Sequence, residues 1–398
     1  MSYAGTSKGG TSAILAAEDL IRVERAEAGL DSVDTGQVRA LFGASIDRLM
    51  GEAGLYDEDT AAAALLQAGG DLPEATHLLR AHRSTLPRLA VSEPIDPDQV
   101  QLLRRVVPAT REPEGPQLLG NTRDYSARLL RRPGAPDPLP VSDQLRHAQQ
   151  EQPVALPHPD EPVRRFSAWM RAQDRMVDRV DPTDPEPFDP AYQPVVLPVS
   201  RSALLSAMAV AETGGLINMW YRSILGPDGY ADEDVTLGDV RHVRAEVRVT
   251  HPHTGEPVAI ARIRFTDCEA ISHLDERGED PARFDVGYGI ALGHNERKTI
   301  AMATLDLAAQ RYGNGEEGLK LQQLLMMTTD PLASNGFLEH LKLPHYVTFR
   351  SQLDRAEAAR QEQREHGGGT GLLIGTTGPA DIESADTPAG TDREGLPV

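Results

Sequence analysis

Seventeen of the chain's thirty prolines fall between residues 108 and 198. Proline has no amide hydrogen to donate and drives the residue before it out of the helical conformation. This stretch therefore reads mostly as extended connector, dividing a helical N-terminal unit (1–107) from an α+β C-terminal part (199–366). One island interrupts it. Val163, Phe166, Trp169, Met170, Val177 and Val180 fall on one face of a helix. The island is either a helix packed on the core or part of an arm that wraps a partner subunit, as long proline-rich segments do.

The N-terminal unit opens with an amphipathic helix over 12–28. Ile14, Ala17, Leu20 and Ile21 sit on one face, Glu-Arg pairs on the other, and Gly29 stops it. Residues 36–83 read as three short helices. Ala61 to Leu66 is the best helix-forming run in the chain, and Asp71 opens the next helix with Pro73 and Glu74 in its first turn. Small helical units of this kind are scaffolding or docking surfaces.

The C-terminal part begins with helices on either side of Gly214-Gly215. A strand follows, with Val243, Ala245, Val247 and Val249 alternating with Arg244, Glu246 and Arg248. The chain turns at His251–Glu256 and resumes at Val258–Phe265, which predicts a β-hairpin. A third strand is expected at Val286–Leu292. Asn295 then caps a helix from Glu296 to about Tyr312, and another helix runs from about Glu316. Helices covering a small mixed or antiparallel sheet give an α+β class. The tail, 367–398, has little to bury and is expected to be disordered.

A net charge of −20 argues against a nucleic-acid or acidic-membrane partner. An anionic substrate would need a local basic pocket. Cys268 is the only cysteine, so there is no internal disulfide and no cysteine-rich cluster. The amino terminus lacks a signal-peptide core, and no apolar run approaches the roughly 20 residues needed to span a bilayer. The expectation is a cytoplasmic protein.

Several constellations could carry chemistry. Asp267 and Glu269 share one face of a strand, where paired carboxylates can bind Mg²⁺ with a nucleotide or stabilise a sugar cation; solvated strand-end carboxylates are the plainer reading. Gly287 and Gly289 lie in a strand–turn–helix run that ends at Arg297 and Lys298. Glycines and a helix N-terminus can admit a phosphate, but a glycine-bent strand packed under a helix is the plainer reading. Arg201, just before a helix, could grip a phosphate or phosphonate, or pair structurally. His340 and His345 flank Lys342 and Pro344. In an unbroken helix they would diverge, but the proline lets both rings face one point. Two imidazoles suit zinc or a similar metal, with further ligands supplied from elsewhere, but on spacing alone two ordinary surface or core histidines are the plainer reading. His251 and His253, with His242 in the adjacent strand, could form a rival metal cluster, although ordinary exposed turn histidines are the plainer reading.

The run Gly336–Val347 (GFLEHLKLPHYV) resembles a segment of the I subunit of the bacterial carbon–phosphorus lyase core complex. Further blocks resemble that family in the same order: Lys8-Gly-Gly10, Leu89–Asp96 (LAVSEPID), Gln117–Gly120 with Asp124-Tyr125, Ser200–Ser202, and Gly287–Gly289 with Glu296–Lys298. The resemblance implies a cytoplasmic subunit assembled with G, H and J subunits and ABC-type ATPase-like partners. It implies displacement of adenine from MgATP by an alkylphosphonate, giving ribose 1-alkylphosphonate 5-triphosphate, and nucleosidase activity for the subunit alone. It also implies that His340 and His345 bind zinc or a similar divalent metal at the contact with the J subunit. Substitution at an anomeric carbon needs cations for the phosphates and a carboxylate near an oxocarbenium-like centre. Arg201, Arg297 and Lys298 are candidates for the first, Asp267 and Glu269 for the second. The rival expectation is a non-catalytic scaffold that docks the radical subunit and lends it two ligands. The chain departs from the family pattern around 215–240 and at Arg262, where relatives carry a glutamate.

Overall fold

Two long strands organise the fold: the alternating Val243 and Ala245 pack with Phe265 on one face, and Val240, Cys268 and Ala270 pack with Ala303 and Leu307 on the other. The computed structural model describes residues 10–29, 33–120, 122, 130, 134, 163–177, 187–189, 192–225, 236–272, 282–327, 338, 340–342 and 346–366. Strands β2 (Thr236–Thr250) and β3 (Pro257–Ser272) form the predicted hairpin, extended in both directions. The third expected strand is β4 (Asp285–Leu292). A further strand, β1 (Gln101–Val106), lies inside the stretch expected to be helical. Its sequence, QLLRRV, has no two-residue alternation, because Arg104 and Arg105 are both buried and both paired. The order is β1-β2-β3-β4 and every ladder is antiparallel, although the proline-rich stretch separates β1 from β2.

The N-terminal unit holds four helices over 35–85 rather than three: α2 (Thr35–Leu41), α3 (Gly43–Ala53), α4 (Glu58–Gln67) and α5 (Leu72–Thr85). The chain breaks at Phe42, so the first of the expected segments becomes two. Asp71 caps α5 by accepting from the Glu74 amide at 2.9 Å, and Asp57 caps α4 in the same way. Leu49, Met50, Ala53, Ala61, Ala62, Ala75 and Leu79 close a core of their own. Ahead of them α1 (Gly10–Glu27) forms as expected, with Gly29 at φ +66°, but buries no side chain.

One face of the sheet is covered by α9 (Glu296–Tyr312), backed by α7 (Arg201–Val210), α8 (Thr213–Leu225) and α10 (Glu316–Met327). Gly214 and Gly215 do not break the helices. The break falls at Ala211–Glu212, and the Glu212 carboxylate accepts from the Gly215 amide at 2.5 Å in the first turn of α8. Asn295 makes no side-chain cap to α9. Its Nδ2 instead donates to the carbonyls of Asp47 and Leu292, tying α3 to the end of β4.

The island of the connector forms only a six-residue helix, α6 (Phe166–Arg171), and Val177 continues as backbone pairing to Phe284. It packs on this chain's own sheet, on the face opposite α9, so the core-packing alternative describes it. Val180 lies outside the described residues.

Residues from Glu339 onward form a separate unit. Its described part includes helix α11 (Tyr346–His366), which the sequence reading did not foresee and whose described side chains are exposed. The tail beyond 366 lies outside the described residues. No described helix is long and apolar enough to cross a membrane.

Candidate functional site

Asp267 and Glu269 lie two residues apart on β3, and the strand period aims both at the face that α9 leaves open. Register brings Arg241 of β2 directly opposite Asp267, and Arg105 of β1 opposite Arg241. Tyr288 of β4 sits opposite Glu269. The strap formed by residues 163–171 closes over this row, and its Arg165 enters from above. Asp267 accepts from Arg241 at 3.0 and 2.6 Å, from Arg165 at 2.8 Å and from the Tyr288 hydroxyl at 3.1 Å. Glu269 accepts from the Ser167 hydroxyl at 2.6 Å, the Ser167 amide at 3.2 Å and Arg165 at 3.4 Å. Asp239 holds Arg105 at 2.5 Å and also takes the Phe166 amide at 2.6 Å. Three guanidinium groups therefore face three carboxylates, all nearly inaccessible, with half-exposed Asp98 at the rim against Arg165.

The two candidate carboxylates respond differently to one environment. Burial alone would raise Asp267, but Arg241 and Arg165, helped by the Tyr288 hydroxyl, hold it below the usual carboxylate range. Burial raises Glu269, and Arg165 and Ser167 offset that only in part. Tyr288 is pushed up by burial and by Asp267. The network reaches solvent at a cleft of about 20 Å³, lined by Arg105, Thr110, Glu114, Arg164, Arg165 and Trp169, where Phe166 and Trp169 stack with centroids 5.4 Å apart. That is room for water, not for a nucleotide.

The remaining sequence candidates do not gather here. Gly287 and Gly289 face α9: a Cβ on Gly287 would lie 2.0 Å from the Ala303 carbonyl oxygen, and one on Gly289 2.1 Å from that of Thr299. Their missing side chains let β4 and α9 touch backbone to backbone. Arg201 pairs with the fully buried Asp306 at 2.6–3.2 Å and reaches the Val286 carbonyl, clipping α7 to α9 and β4. Arg297 is exposed, whereas Lys298, one helical step on, is fully buried. Lys298 faces Glu52, Arg80, Arg48 and Glu212, and its Nζ has no hydrogen-bond partner among the described residues. Burial pushes its amine down to about 7, with Glu52 opposing.

The histidines also separate. His251 Nδ1 accepts amides within the hairpin turn, with His253 edge-on at 5.7 Å. His242 lies eight residues before the end of β2, roughly 25 Å away at strand rise. There it stacks on His294 at 4.5 Å and is pushed by burial, and by its neighbour, down to about 3. His340 falls in the C-terminal unit; His345 and Pro344 lie outside the described residues. Among the described residues no three His, Cys, Asp or Glu side chains are grouped to hold a metal. Asp267 and Glu269 do not suit a resident Mg²⁺, because arginines and donor hydroxyls occupy their oxygens.

The sequence reading missed Arg105, Arg165, Arg241, Asp239 and Tyr288. A trace was present: Asp239-Val-Arg241 and Asp267-Cys-Glu269 share one charged–apolar–charged spacing, which puts four charges on a strand face that must be either wet or mutually paired.

Comparison with known proteins gives this arrangement a context. The model of the family described as bacterial phosphonate metabolism protein (PhnI) matches residues 4–363. The chain is 34% identical over 364 residues to the alpha-D-ribose 1-methylphosphonate 5-triphosphate synthase subunit PhnI of Rhizobium meliloti, covering 90% of this chain and 94% of that protein. The subunit of the same name from Escherichia coli is 33% identical over 368 residues, covering 90% and 99%. HtxH of Stutzerimonas stutzeri, provisionally named a C-P lyase subunit protein, is 34% identical over 374 residues, covering 89% and 95%.

Proposed function

This chain belongs to the PhnI family of bacterial phosphonate metabolism proteins, and on that premise we propose that it is the subunit of a carbon–phosphorus lyase assembly that takes part in displacing adenine from MgATP by an alkylphosphonate. The bond from the anomeric carbon to the adenine nitrogen breaks, a phosphonate oxygen bonds to that carbon, and adenine leaves with a proton. Mg²⁺ enters with the nucleotide. The observation that carries this reading is the carboxylate pair: Asp267 held ionised by Arg241 and Arg165, and Glu269 two residues along held toward its protonated form by burial. Two carboxyl groups pushed apart in acidity are what an oxocarbenium-like substitution uses, one against the sugar cation and one giving the proton. Substrate reaches them only when the strap of 163–171 moves. Tyr288 would orient Asp267, and Arg105 and Arg165 would meet the anions. G, H and J subunits and ATPase-like partners would complete the assembly. His340 and His345 would supply two imidazoles to zinc or a similar metal, which needs further ligands from another polypeptide.

A second reading has its own support. Arg201, Arg105, Arg165 and Arg241 are already paired within the chain. That is how a scaffold subunit holds its shape, and such a subunit would dock the radical enzyme without doing the substitution. The assay is free adenine, followed by chromatography, from the purified assembly with MgATP and methylphosphonate. Glu269→Gln keeps the shape of the side chain and should lower turnover at least about a hundredfold, the scale of a lost proton donor, while the assembly stays intact. Wild-type turnover in that variant would transfer the reading to the scaffold.

A further inference from the structure

The junction between the N-terminal helices and the helices behind the sheet holds a donor that no described group accepts. Lys298, in the first turn of α9, is fully buried, and its Nζ has no hydrogen-bond partner among the described residues. The charged groups acting on it come from three sides: Arg48 and Glu52 of α3, Arg80 of α5, and Glu212 between α7 and α8. Both carboxylates are already committed. Glu52 accepts from Arg48 Nε at 2.6 Å, from the Thr213 hydroxyl at 2.7 Å and from the Thr213 amide at 3.0 Å. Glu212 accepts from Arg48 Nη2 and, at 2.5 Å, from the Gly215 amide. Arg48 thus spends two nitrogens on the glutamates, and its Nη1 has no acceptor among the described residues. Arg80 turns to the carbonyls of Glu52 and Val210, at 2.7 and 2.6 Å.

Three cations therefore face two carboxylates, which leaves one positive charge in excess. The start of α8 adds to it, since the free amides of a helix N-terminus are positive, and the two glutamates already gather there. Burial within this cluster pushes the amine down to about 7. A water molecule would accept from Nζ but bring no charge, and losing the proton would still leave the nitrogen unbonded. An anion answers both. Its charge is limited to one, because a doubly charged phosphate or sulfate would overshoot the excess. The cluster meets solvent at Arg48 and Glu212, whose side chains are 31% and 19% exposed, so an ion has a way in. We propose that Lys298, Arg48 and the first turn of α8 hold a small monovalent anion, chloride, where α3, α5, α8 and α9 meet. The ion accepts from Nζ, cancels the excess charge and ties the N-terminal core to the helices behind the sheet. This site stands apart from Asp267 and Glu269 and does not depend on the adenine-displacement reading.

The test compares thermal midpoints of the full chain in potassium chloride and in potassium gluconate of equal ionic strength, gluconate being too bulky for the site. Wild type and Lys298→Met are measured at pH 6.5 and pH 9. At pH 6.5 the amine is protonated, and about 0.3 M chloride should raise the wild-type midpoint by about 3 °C over gluconate. At pH 9 the folded amine is neutral, and the two wild-type midpoints should nearly coincide. The methionine variant has no charge to answer and should not distinguish the salts at either pH. An equal chloride response in both proteins, a full response that persists at pH 9, or no response in wild type at pH 6.5 overturns the proposal. A wild-type crystal grown near pH 6.5 and soaked in bromide should show an anomalous peak beside Nζ, and its absence there also overturns it.

Discussion

Replacing Lys298 by methionine should stabilise this protein. The amine lies at the first turn of α9, fully buried, against Glu52 and Arg48 of α3, Arg80 of α5 and Glu212 between α7 and α8. Glu52 is already engaged, accepting from Arg48 at 2.6 Å and from the Thr213 hydroxyl and amide at 2.7 and 3.0 Å. Three cations thus meet two carboxylates, and the third cation is left without a hydrogen bond. A fall from 10.5 to about 7 corresponds to a penalty of about 5 kcal/mol on the charged form. Methionine fills a similar volume without the orphaned nitrogen, so a gain of about 2–4 kcal/mol at pH 6.5 is expected, the attraction to Glu52 being already contained in that shift. Below about 7 both folded and unfolded states carry the proton, and the wild-type penalty is complete. Between about 7 and 10.5 the unfolded chain binds the proton and the folded one does not, so wild-type stability rises with pH, by up to about 1.4 kcal/mol per pH unit. The variant lacks that rise. Urea midpoints at pH 6.5 and pH 9 measure both effects. A variant weaker than wild type at pH 6.5, or parallel pH dependences for the two, would refute the assignment of an uncompensated amine.

Two further substitutions probe the faces of the sheet. Gly289→Ala places a methyl against backbone on both sides, 2.1 Å from the Thr299 oxygen and 3.0 Å from the Ala303 nitrogen, and should destabilise by about 3 kcal/mol or more in thermal or urea melts. Gly43→Ala, which meets nothing within 4 Å, is the control and should be neutral or slightly stabilising. Asp267→Asn strips the shared carboxylate from Arg241 and Arg165 and should lower stability by about 3–5 kcal/mol. Because burial is outweighed by those arginines and the folded carboxyl stays below its ordinary range, the stabilisation is lost only at pH values under the unfolded one. The gap between variant and wild type should therefore hold constant from pH 8 to pH 5 in urea melts, and a gap that closes across that window would contradict the direction.

What could be read from the sequence followed local periodicity. The hairpin, β4 and α9 were visible because their apolar residues repeat at two or at 3.6, and a single face decides their burial. β1 was hidden because its buried positions include two arginines, which only paired partners from distant segments can neutralise. The same holds for the site. Asp267 and Glu269 were found from strand spacing, but Arg165 comes from the proline-rich connector, about a hundred residues away in sequence, and no local pattern joins them. Gly287 and Gly289 illustrate the converse, since a glycine pattern is the same whether it admits a phosphate or a helix backbone. Only the partner across the gap distinguishes the two.

The strap decides between the two functional readings, because the groups that lock it are the groups that set the acidities beneath it. Arg165 is one of the two guanidinium groups on Asp267, and Arg165 with Ser167 supplies the described hydrogen bonds to Glu269. If the strap lifted into water, Asp267 would keep Arg241 and stay ionised, but Glu269 would lose the burial that raises it and become an ordinary ionised carboxylate. A proton donor at Glu269 is thus compatible with catalysis only if whatever displaces the strap is itself dry, such as a purine ring or another subunit's apolar surface. A scaffold places no such demand: its strap stays shut, and the buried charges serve to fix the connector on the sheet. Strap amides exchanging slowly in the assembly, with and without MgATP, would fit the scaffold alone.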